Sequence, residues 1–389
     1  MTLTINLPDT AGALRPFTVE TQPVAVPAGP PEFDRIAFSA VHVVADPFSA
    51  REPGAGPAID WDATIAFRRH ILDLGLGIAE AMDTAQRGMG LDWPNALTLI
   101  ERSLAAAQPA ERERIFSGVG TDQLDPGDAR SPDDVVAAYC EQLSAVQTLG
   151  GRVVLMASRA LARVASSPED YVSVYRRVLA ECDHPVILHW LGDMFDPALA
   201  GYWGADAFEP AMETALQVIG DNKEKIDGIK ISLLDDEKEI VMRRRLLGGV
   251  KMYTGDDFNY PDLIAGDDQG FSHALLGIFD PIAPAASAAL GALAAGNRET
   301  YDLLLQPTVP LSRLIFRAPT HHYKTGVVFL SYLNGFQDHF VMIGGAQSMR
   351  PLPYFTDLFR LAEAAGLLRD PEDAVSRMKR FLALYGVEA

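Results

Sequence analysis

A lysine occurs inside a short apolar segment, "DGIKIS", at residues 227–232. Burial disfavours the charged form of an amine, so the pKa of Lys230 should fall if this segment is a buried strand. A lysine with a lowered pKa is a nucleophile that condenses with a ketone to form a Schiff base, which assists cleavage or formation of a C–C bond. A lysine in such a segment can equally form an ion pair with a buried carboxylate. The residue pattern alone leaves both interpretations open.

The segments around Lys230 predict the elements that must position it. Eight short apolar runs are typical of strands; they are residues 35–45, 76–82, 114–119, 151–157, 185–190, 227–232, 249–255 and 271–277. Helical periodicity is found between them, at residues 61–75, 93–107, 132–150 and 167–182. This alternation indicates a parallel α/β sheet, and eight strands are the number that closes a (β/α)8 TIM barrel. An open doubly wound sheet remains an alternative, although no G-x-G-x-x-G motif follows the first strand.

The sequence predicts three regions. Residues 1–35 are rich in proline and polar residues, which indicates an N-terminal extension in the form of an extended arm or a small ribbon. Residues 36–284 hold the alternating strands and helices and are predicted to form the TIM barrel. Residues 285–389 contain long helical patterns without a clear strand, so we expect a helical C-terminal appendage.

The composition excludes several classes of partner. The 389 residues have a formal net charge of −19, which repels nucleic acid and anionic membrane surfaces. The two cysteines, Cys140 and Cys182, do not form a C-x-x-C motif, and a reducing compartment suits them. The N-terminus lacks the features of a signal peptide, and no apolar run approaches the length of a membrane span. We therefore predict a cytoplasmic protein that binds a small molecule and neither nucleic acid nor a membrane.

Functional side chains of a TIM barrel follow the C-terminal ends of its strands. This rule places His189 and Asp193 after the fifth strand, and Asp256 and Asp257 after the seventh. We predict that His189 is the general acid or base, because it ends a strand next to that of Lys230. Each of the two aspartates after the seventh strand could position the lysine, bind substrate or simply cap the following turn.

Six segments resemble motifs of the dihydrodipicolinate synthase and N-acetylneuraminate lyase family, the class I aldolases with a lysine Schiff base. They occur in the family's order, and they are "VHVVADPF" (41–48), "GIAEAMDTAQ" (77–86), "GVGTDQ" (118–123), "PVILHW" (185–190), "DGIKIS" (227–232) and "TGDD" (254–257). The similarity runs from about residue 36 to residue 280, with a helical tail as in the family. The segments "HWLGDMFDPALAGYWG" and "GVKMYTGDDFNYPDLI" are similar to those of a divergent subgroup of unknown function.

The resemblance implies a TIM barrel in which Lys230 forms a covalent imine without any other cofactor. It also implies a homodimer or a homotetramer. The implied reaction makes or breaks a C–C bond, or removes water, in a carbonyl substrate.

Two departures from the family change the expected substrate. The family's carboxylate-binding loop, G-[ST]-T-G-E, is "MDTAQ" here, so Thr84 is kept while Asp83 and Gln86 are replacements. An aspartate repels a substrate carboxylate but accepts hydrogen bonds from hydroxyl groups. Ser158 and Arg159 follow the fourth strand, where the family has its tyrosine. We therefore expect a sugar-derived keto compound in preference to a simple keto acid.

These considerations give a set of predicted site residues. The predicted catalytic residues are Lys230, His189, Arg159 and Ser158. The predicted substrate-binding residues are Asp83, Thr84, Gln86, Asp193, Asp256 and Asp257.

A second interpretation is a divalent-metal-dependent sugar isomerase or aldolase. Histidines and carboxylates bind such metals, and the candidate ligands near the predicted barrel mouth are His42, Glu80, Asp83 and His189, with His273 as a further histidine. The spacing is long-range and contains no local metal motif such as H-E-x-x-H. A barrel without catalytic activity is the third interpretation.

Overall fold

The computed structural model describes residues 3–52 and 54–388. Its strands are β1 (Leu3–Pro8), β2 (Leu14–Val19), β3 (Ala37–Ala40), β4 (Gly77–Glu80), β5 (Ile115–Val119), β6 (Arg152–Leu155), β7 (Val186–Leu191), β8 (Ile226–Ser232), β9 (Lys251–Thr254) and β10 (His273–Leu276). The last eight strands are parallel and close into a barrel in the order β3 to β10, with β10 hydrogen-bonded to β3. Each predicted strand overlaps one of these eight, so the predicted TIM barrel is confirmed and the open sheet is wrong.

Helices follow the strands along the chain. They are α1 (Trp61–Asp73), α2 (Trp93–Ala106), α3 (Pro109–Arg112), α4 (Pro132–Thr148), α5 (Arg159–Val164), α6 (Pro168–Ala180), α7 (Phe208–Asp221), α8 (Asp236–Arg243), α9 (Tyr260–Ala265), α10 (Ala283–Ala294), α11 (Arg298–Leu305), α12 (Val309–Ile315), α13 (Tyr323–Leu333), α14 (Leu352–Ala364) and α15 (Pro371–Ala383). Every helix in the described chain is too short or too polar to span a lipid bilayer.

Local capping explains where the barrel helices begin. Ser131 precedes α4 and forms a capping box with Asp134, and Ser167 forms the same motif with Asp170 at the start of α6. Each box satisfies two backbone N–H groups that the first helical turn leaves without partners. A proline then occupies the first helical position of both helices, where its missing N–H has no consequence.

The chain forms two compact units. One contains residues 35–41 and 77–277, and therefore all eight barrel strands and α2 to α9. The other contains the N-terminal residues up to Asp34, His42–Leu76 and the residues from Ile278 onward, and therefore β1, β2, α1 and α10 to α15. The division into residues 1–35, 36–284 and 285–389 stays a prediction, because the compact units interleave along the chain.

The barrel interior is packed with side chains from alternate strand positions. Its buried residues are Phe38, Ala40, Ala79, Met82, Phe116, Val154, Met156, Ile187, Tyr253 and Leu275. Strands buried on both faces read as continuous apolar runs, and β7, "VILHWL", is buried at every position. A histidine or lysine on the interior face of such a strand is therefore an exception to be explained.

The second unit combines a ribbon with helices. β1 and β2 pair as an antiparallel hairpin, which agrees with the ribbon predicted in the N-terminal region. The Glu363 carboxylate of α14 accepts hydrogen bonds from the backbone N–H groups of Glu20 and Thr21 at 2.9 and 2.8 Å. The helical character predicted after residue 285 is confirmed, and the rings of Phe329, Phe355 and Phe381 pack against one another at tilted and edge-on angles in its core.

Candidate active site

Lys230 projects into the barrel from β8. Residues two apart on a strand share a face, and Gly228 lies opposite Ile187, a residue of the barrel interior. Lys230 also lies opposite Tyr253 of β9, another interior residue. Lys230 is only 7% exposed. The sequence-based expectation that this lysine is buried in a strand is therefore confirmed.

The surroundings of Lys230 favour the neutral amine. Burial lowers the pKa of the Lys230 ammonium, and the carboxylates of Asp83 and Asp257 partly oppose that effect. Asp83 begins a single 3-10 turn after β4, and Asp257 follows β9 and is buried. The two carboxylates stabilise the charged ammonium of Lys230, but burial is the larger effect and the pKa of the lysine is lowered on balance.

His189 lies beside Lys230 on the neighbouring strand of the barrel. The two residues are register partners on β7 and β8, and His189 is 1% exposed. Burial, followed by the charge of Lys230, lowers the pKa of the His189 imidazole well below its usual value. Its Nε2 lies 3.3 Å from the hydroxyl of Ser232. His189 is therefore neutral near pH 7 and can accept a proton.

Gly255 leaves the space that Lys230 occupies. A Cβ atom at this position would lie 2.7 Å from Cε of Lys230 and 2.6 Å from the carbonyl oxygen of Ile231. It would also overlap the hydroxyl oxygen of Ser232. Because one of these neighbours is backbone, the overlap cannot be relieved by a side-chain movement alone.

A cavity of about 380 Å³ adjoins these residues. It is lined by Asp83, Arg87, Gly88, Gly90, Leu91, Asp92, Gly120, Thr121, Asp122, Leu124, Pro126, Met156, Ala157, Arg159, His189, Leu191, Asp196 and Leu199. Lys230 is not itself in this lining, but its neighbours His189 and Asp83 are. A small molecule in the cavity would thus contact two residues that neighbour the lysine, His189 and Asp83.

Arg159 lines the cavity, whereas Ser158 is buried and is not part of the lining. Nε of Arg159 donates to the Asp196 carboxylate at 2.5 Å, and the arginine side chain is 44% exposed. The Ser158 hydroxyl accepts a hydrogen bond from the Leu161 backbone N–H at the start of α5 and lies 2.6 Å from the Thr121 hydroxyl. Arg159 therefore lines the cavity with its charge paired to Asp196, whereas Ser158 caps a helix.

The structure also brings together a network of charged and polar side chains around Arg87 that the sequence motifs did not indicate. Arg87 donates two hydrogen bonds of 2.7 Å to the Asp122 carboxylate and one of 2.7 Å to the Gln142 side chain. It also donates to the carbonyl oxygens of Ala81 and Gly118, at the ends of β4 and β5. Burial opposes ionisation of Asp122, but Arg87 outweighs it and lowers the pKa of that carboxyl. The sequence hint for this network is that Arg87 and Asp122, which carry opposite charges, follow the adjacent strands β4 and β5.

The remaining residues of the "MDTAQ" loop hold the loop itself. Thr84 and Gln86 are both 1% exposed and neither lines the cavity. Gln86 has a left-handed backbone with φ 64°, and its side chain donates to the Met89 carbonyl oxygen at 3.2 Å. The loop therefore presents Asp83 to the cavity, and Thr84 and Gln86 support it.

The other predicted substrate-binding residues lie outside the cavity lining. Asp193 is exposed. The Asp256 carboxylate accepts hydrogen bonds from the backbone N–H groups of Phe258 and Asn259 and from the Asn259 side chain. This pattern is the turn-capping role that the sequence had left open for Asp256, while Asp257 lies close to Lys230.

The candidate metal ligands do not converge. No three histidine, cysteine, aspartate or glutamate side chains in the described chain are arranged to hold a metal ion. The Glu80 carboxylate accepts from the Ser103 hydroxyl of α2, and His42 lies 2.8 Å from Asp280 through Nδ1 and 3.2 Å from Ser331 through Nε2. Both ring nitrogens of His42 are thus engaged, and Glu80 faces the helix layer because Ala79 faces the interior.

His273 was expected near the barrel mouth, and this expectation is wrong. It is the first residue of β10, so it lies at the N-terminal end of its strand. Its Nδ1 accepts a hydrogen bond from the Ile36 backbone N–H at 3.0 Å. The predicted strand, residues 271–277, included the correct segment, but its actual start moves this histidine to the opposite end of the barrel.

The fold defines a barrel of the dihydrodipicolinate synthase type. The synthase from Thermotoga maritima has a TM-score of 0.64 at 14% identity, covering 87% of this chain and 100% of that one. The chloride-inhibited synthase from Acinetobacter baumannii, solved in complex with pyruvate, has a TM-score of 0.62 at 16% identity, covering 86% and 99%. The 4-hydroxy-tetrahydrodipicolinate synthase from Methylacidiphilum fumariolicum SolV has a TM-score of 0.61 at 16% identity, covering 90% and 98%. At these identities the similarity establishes the fold alone.

The chain belongs to DUF993, a family of proteins of unknown function whose model matches residues 5–387. The predicted membership of a divergent subgroup with the dihydrodipicolinate synthase fold is therefore confirmed. No curated protein sequence shows significant similarity to the chain.

Proposed function

We propose that the protein is a Schiff-base-forming lyase or aldolase acting on a sugar-derived carbonyl compound. The observation that carries the proposal is the position of Lys230, buried on an interior strand face beside a neutral histidine and next to a ligand-sized cavity. The similar synthases support the proposal only through their shared fold.

The first step is attack by the Lys230 amine on the substrate carbonyl carbon. The amine adds to the carbonyl, and loss of water gives an imine that is protonated on nitrogen. Burial favours the neutral amine needed for the attack. The carboxylates of Asp83 and Asp257 then stabilise the positive charge of the protonated imine, since they favour a cation at the lysine nitrogen.

The second step breaks a C–C bond next to the imine. The bonding electron pair moves toward the iminium nitrogen and leaves an enamine, while the hydroxyl on the departing carbon loses its proton and becomes a carbonyl. Neutral His189 is the proton acceptor, because it lies opposite Lys230 and lines the cavity. Protonation of the enamine carbon and hydrolysis of the imine then release the second product and regenerate the amine.

The charges of the cavity favour a hydroxylated substrate without a carboxylate. Four aspartates line the cavity and only two arginines, and those arginines are paired with Asp122 and Asp196. Asp83 and Asp92 are the two carboxylates left without an arginine in the lining. Carboxylates accept hydrogen bonds from sugar hydroxyls and repel another carboxylate.

Trapping with borohydride tests both parts of the proposal. The full-length protein is incubated with polyhydroxylated ketones or with pyruvate, reduced, and measured by intact-protein mass spectrometry. We expect a covalent adduct with one or more sugar-derived ketones at lower concentration than with pyruvate. Preferential trapping of pyruvate would contradict the substrate class, and a panel of ketones that gives no adduct would contradict imine chemistry. A Lys251→Met variant is the matched control, because Lys251 also lies on a barrel strand but pairs with Asp227.

A further inference from the structure

A group of five basic side chains lies between residues 317 and 350, beyond the last barrel strand in the sequence. We call it the basic cluster, and it consists of Arg317, His321, His322, Lys324 and Arg350. All five belong to the unit that contains the C-terminal helices. The whole chain has a net charge of −19, so a concentration of positive charge is unusual for it.

Arg350 is a buried cation whose protein partners are neutral. The residue is 5% exposed, and its terminal nitrogens donate to the carbonyl oxygens of Arg317, Ala318 and Pro319 at 2.8–3.3 Å. Its Nε is buried and has no hydrogen-bond partner within the described residues. Buried arginines are normally paired with an acid, because an uncompensated buried charge is costly. Among the described residues, Arg350 has carbonyl oxygens and the Tyr354 ring as its partners and no acidic side chain.

The neighbours of Arg350 increase the positive charge around it. The guanidinium groups of Arg317 and Arg350 lie 5.0 and 5.1 Å from the centre of the same ring, that of Tyr354. The charged groups acting on His322 are His321, Arg350 and Lys324, and after burial they further lower the pKa of its imidazole. Nδ1 of His322 is buried and has no hydrogen-bond partner within the described part of the chain. Repulsion of this kind is relieved by an anion.

The backbone adds to the positive electrostatic potential of the basic cluster. α13 begins at Tyr323, has 11 residues, and carries neither a side-chain cap nor an acidic residue in its first turn. α14 begins at Leu352, two residues after Arg350, and also lacks both features. The N-terminus of a helix presents unpaired N–H groups and a partial positive charge. Other helices of this chain place an aspartate there, as Asp370 does for α15.

We propose that the basic cluster binds a tetrahedral oxyanion, namely inorganic phosphate or the phosphoryl group of a small metabolite. Arg317 is exposed and makes the first contact, and the half-buried His322 contributes at the edge of the site. Arg350 and the N-terminus of α13 supply a fixed positive field behind them. The site is independent of the chemistry proposed for Lys230.

Calorimetric titration of the full-length protein with inorganic phosphate at constant ionic strength tests this site. We expect saturable binding that weakens by about tenfold or more in Arg317→Gln and in Arg350→Gln, as loss of a charge-assisted contact predicts. Arg380→Gln is the matched control, since Arg380 is 60% exposed on α15 and pairs with Asp373. Its phosphate affinity should equal that of the wild type. A titration with glycerol phosphate then distinguishes a site for free phosphate from one for a phosphoryl ester.

Three results would overturn the proposal. They are the absence of saturable binding at millimolar phosphate, unchanged affinity in Arg317→Gln, and equal loss of affinity in Arg380→Gln. Because Arg317 is exposed, its substitution tests the site even where Arg350→Gln fails to fold. His322→Gln removes a second contact and should also weaken binding.

Discussion

His189 lies directly opposite Lys230, on the neighbouring parallel strand of the barrel. Both side chains are buried, and burial displaces the pKa of each downward, which raises the fraction of each group that is neutral. An amine whose pKa is lowered by burial, with a neutral imidazole beside it, supplies a nucleophile and a proton acceptor. This pairing is the physical basis of the function proposed here.

The carboxylates near Lys230 should set the pH at which it reacts. Asp83 and Asp257 each raise the pKa of Lys230 against the effect of burial. Removing one negative charge in Asp257→Asn should lower that pKa, so the rate of imine trapping should reach half its maximum at a lower pH. The measurement is the trapping rate as a function of pH. Asp193→Asn is the control, since Asp193 is exposed and outside the cavity lining; an equal shift in both variants would argue against the carboxylates acting locally.

Gly255→Ala should displace Lys230. The added methyl group would meet Cε of Lys230 at 2.7 Å and the Ile231 carbonyl oxygen at 2.6 Å. Overpacking of this kind costs about 1–3 kcal/mol, and we expect imine trapping to fall by at least about tenfold in a protein that still folds. Gly220→Ala on α7 is the matched control, because no atom lies within 4 Å of its added Cβ. Trapping at the wild-type rate in Gly255→Ala would show that the lysine does not depend on this space.

Glu239 should make stability depend on pH. This residue of α8 is 1% exposed; one carboxyl oxygen accepts from the Ser272 hydroxyl at 2.6 Å, and the other is buried without a partner in the described chain. Burial raises its pKa to about 8 from 4.5. Between these two pH values the folded protein keeps this proton while the unfolded chain has lost it. The free energy of unfolding therefore falls as the pH rises from 4.5 toward 8.

Glu239→Gln removes that proton dependence while keeping the shape of the protonated acid. We expect the difference in free energy of unfolding, variant minus wild type, to increase from pH 5 to pH 8 by on the order of 1–3 kcal/mol. Urea denaturation at both pH values measures it. Glu237→Gln, at an exposed position of the same helix, should show no such gain; a pH-independent difference for Glu239→Gln would refute the raised pKa.

Arg87→Met should destabilise the barrel unit strongly. It leaves the Asp122 carboxylate without its bidentate partner and frees two strand-end carbonyl groups. Loss of one member of a fully buried ion pair costs about 3–5 kcal/mol, and because the Asp122 side chain is 28% exposed we expect a loss toward the lower end of that range. Arg177→Met should cost less than about 1 kcal/mol, because Arg177 and Asp133 form an exposed pair. Chemical denaturation of the two variants compares them, and similar losses would mean that the Arg87 network is not the stabilising element.

The sequence was informative wherever a residue's role follows from strand order and burial. The eight apolar runs identified the barrel, and "DGIKIS" placed Lys230 inside it, because a parallel strand buried on both faces leaves a lysine few alternatives. Roles that depend on the exact strand start or on side-chain direction were harder to predict. His273 lies at the N-terminal end of β10 because the strand starts later than predicted. Glu80 faces α2, since a shift of one residue reverses the face that a strand residue presents.

Partnerships between distant loops were beyond the sequence pattern. Arg159 binds Asp196, and Arg87 binds Asp122 and Gln142, across separations of 35 to 55 residues. Nothing in local spacing specifies which carboxylate a loop arginine meets, because several follow the strands at the same barrel end. Those pairs decide which aspartates remain available to a substrate, and therefore bear directly on the proposed substrate class.

Peptide mapping of the borohydride-reduced adduct tests the central claim most directly. A sugar-derived ketone that forms an adduct is incubated with the wild type and with Lys230→Met, and the reduced proteins are digested and sequenced by mass spectrometry. We predict that the added mass lies on the peptide containing Lys230, and that neither adduct nor turnover survives in a folded Lys230→Met protein. Modification of another lysine, or full activity without Lys230, would contradict the account.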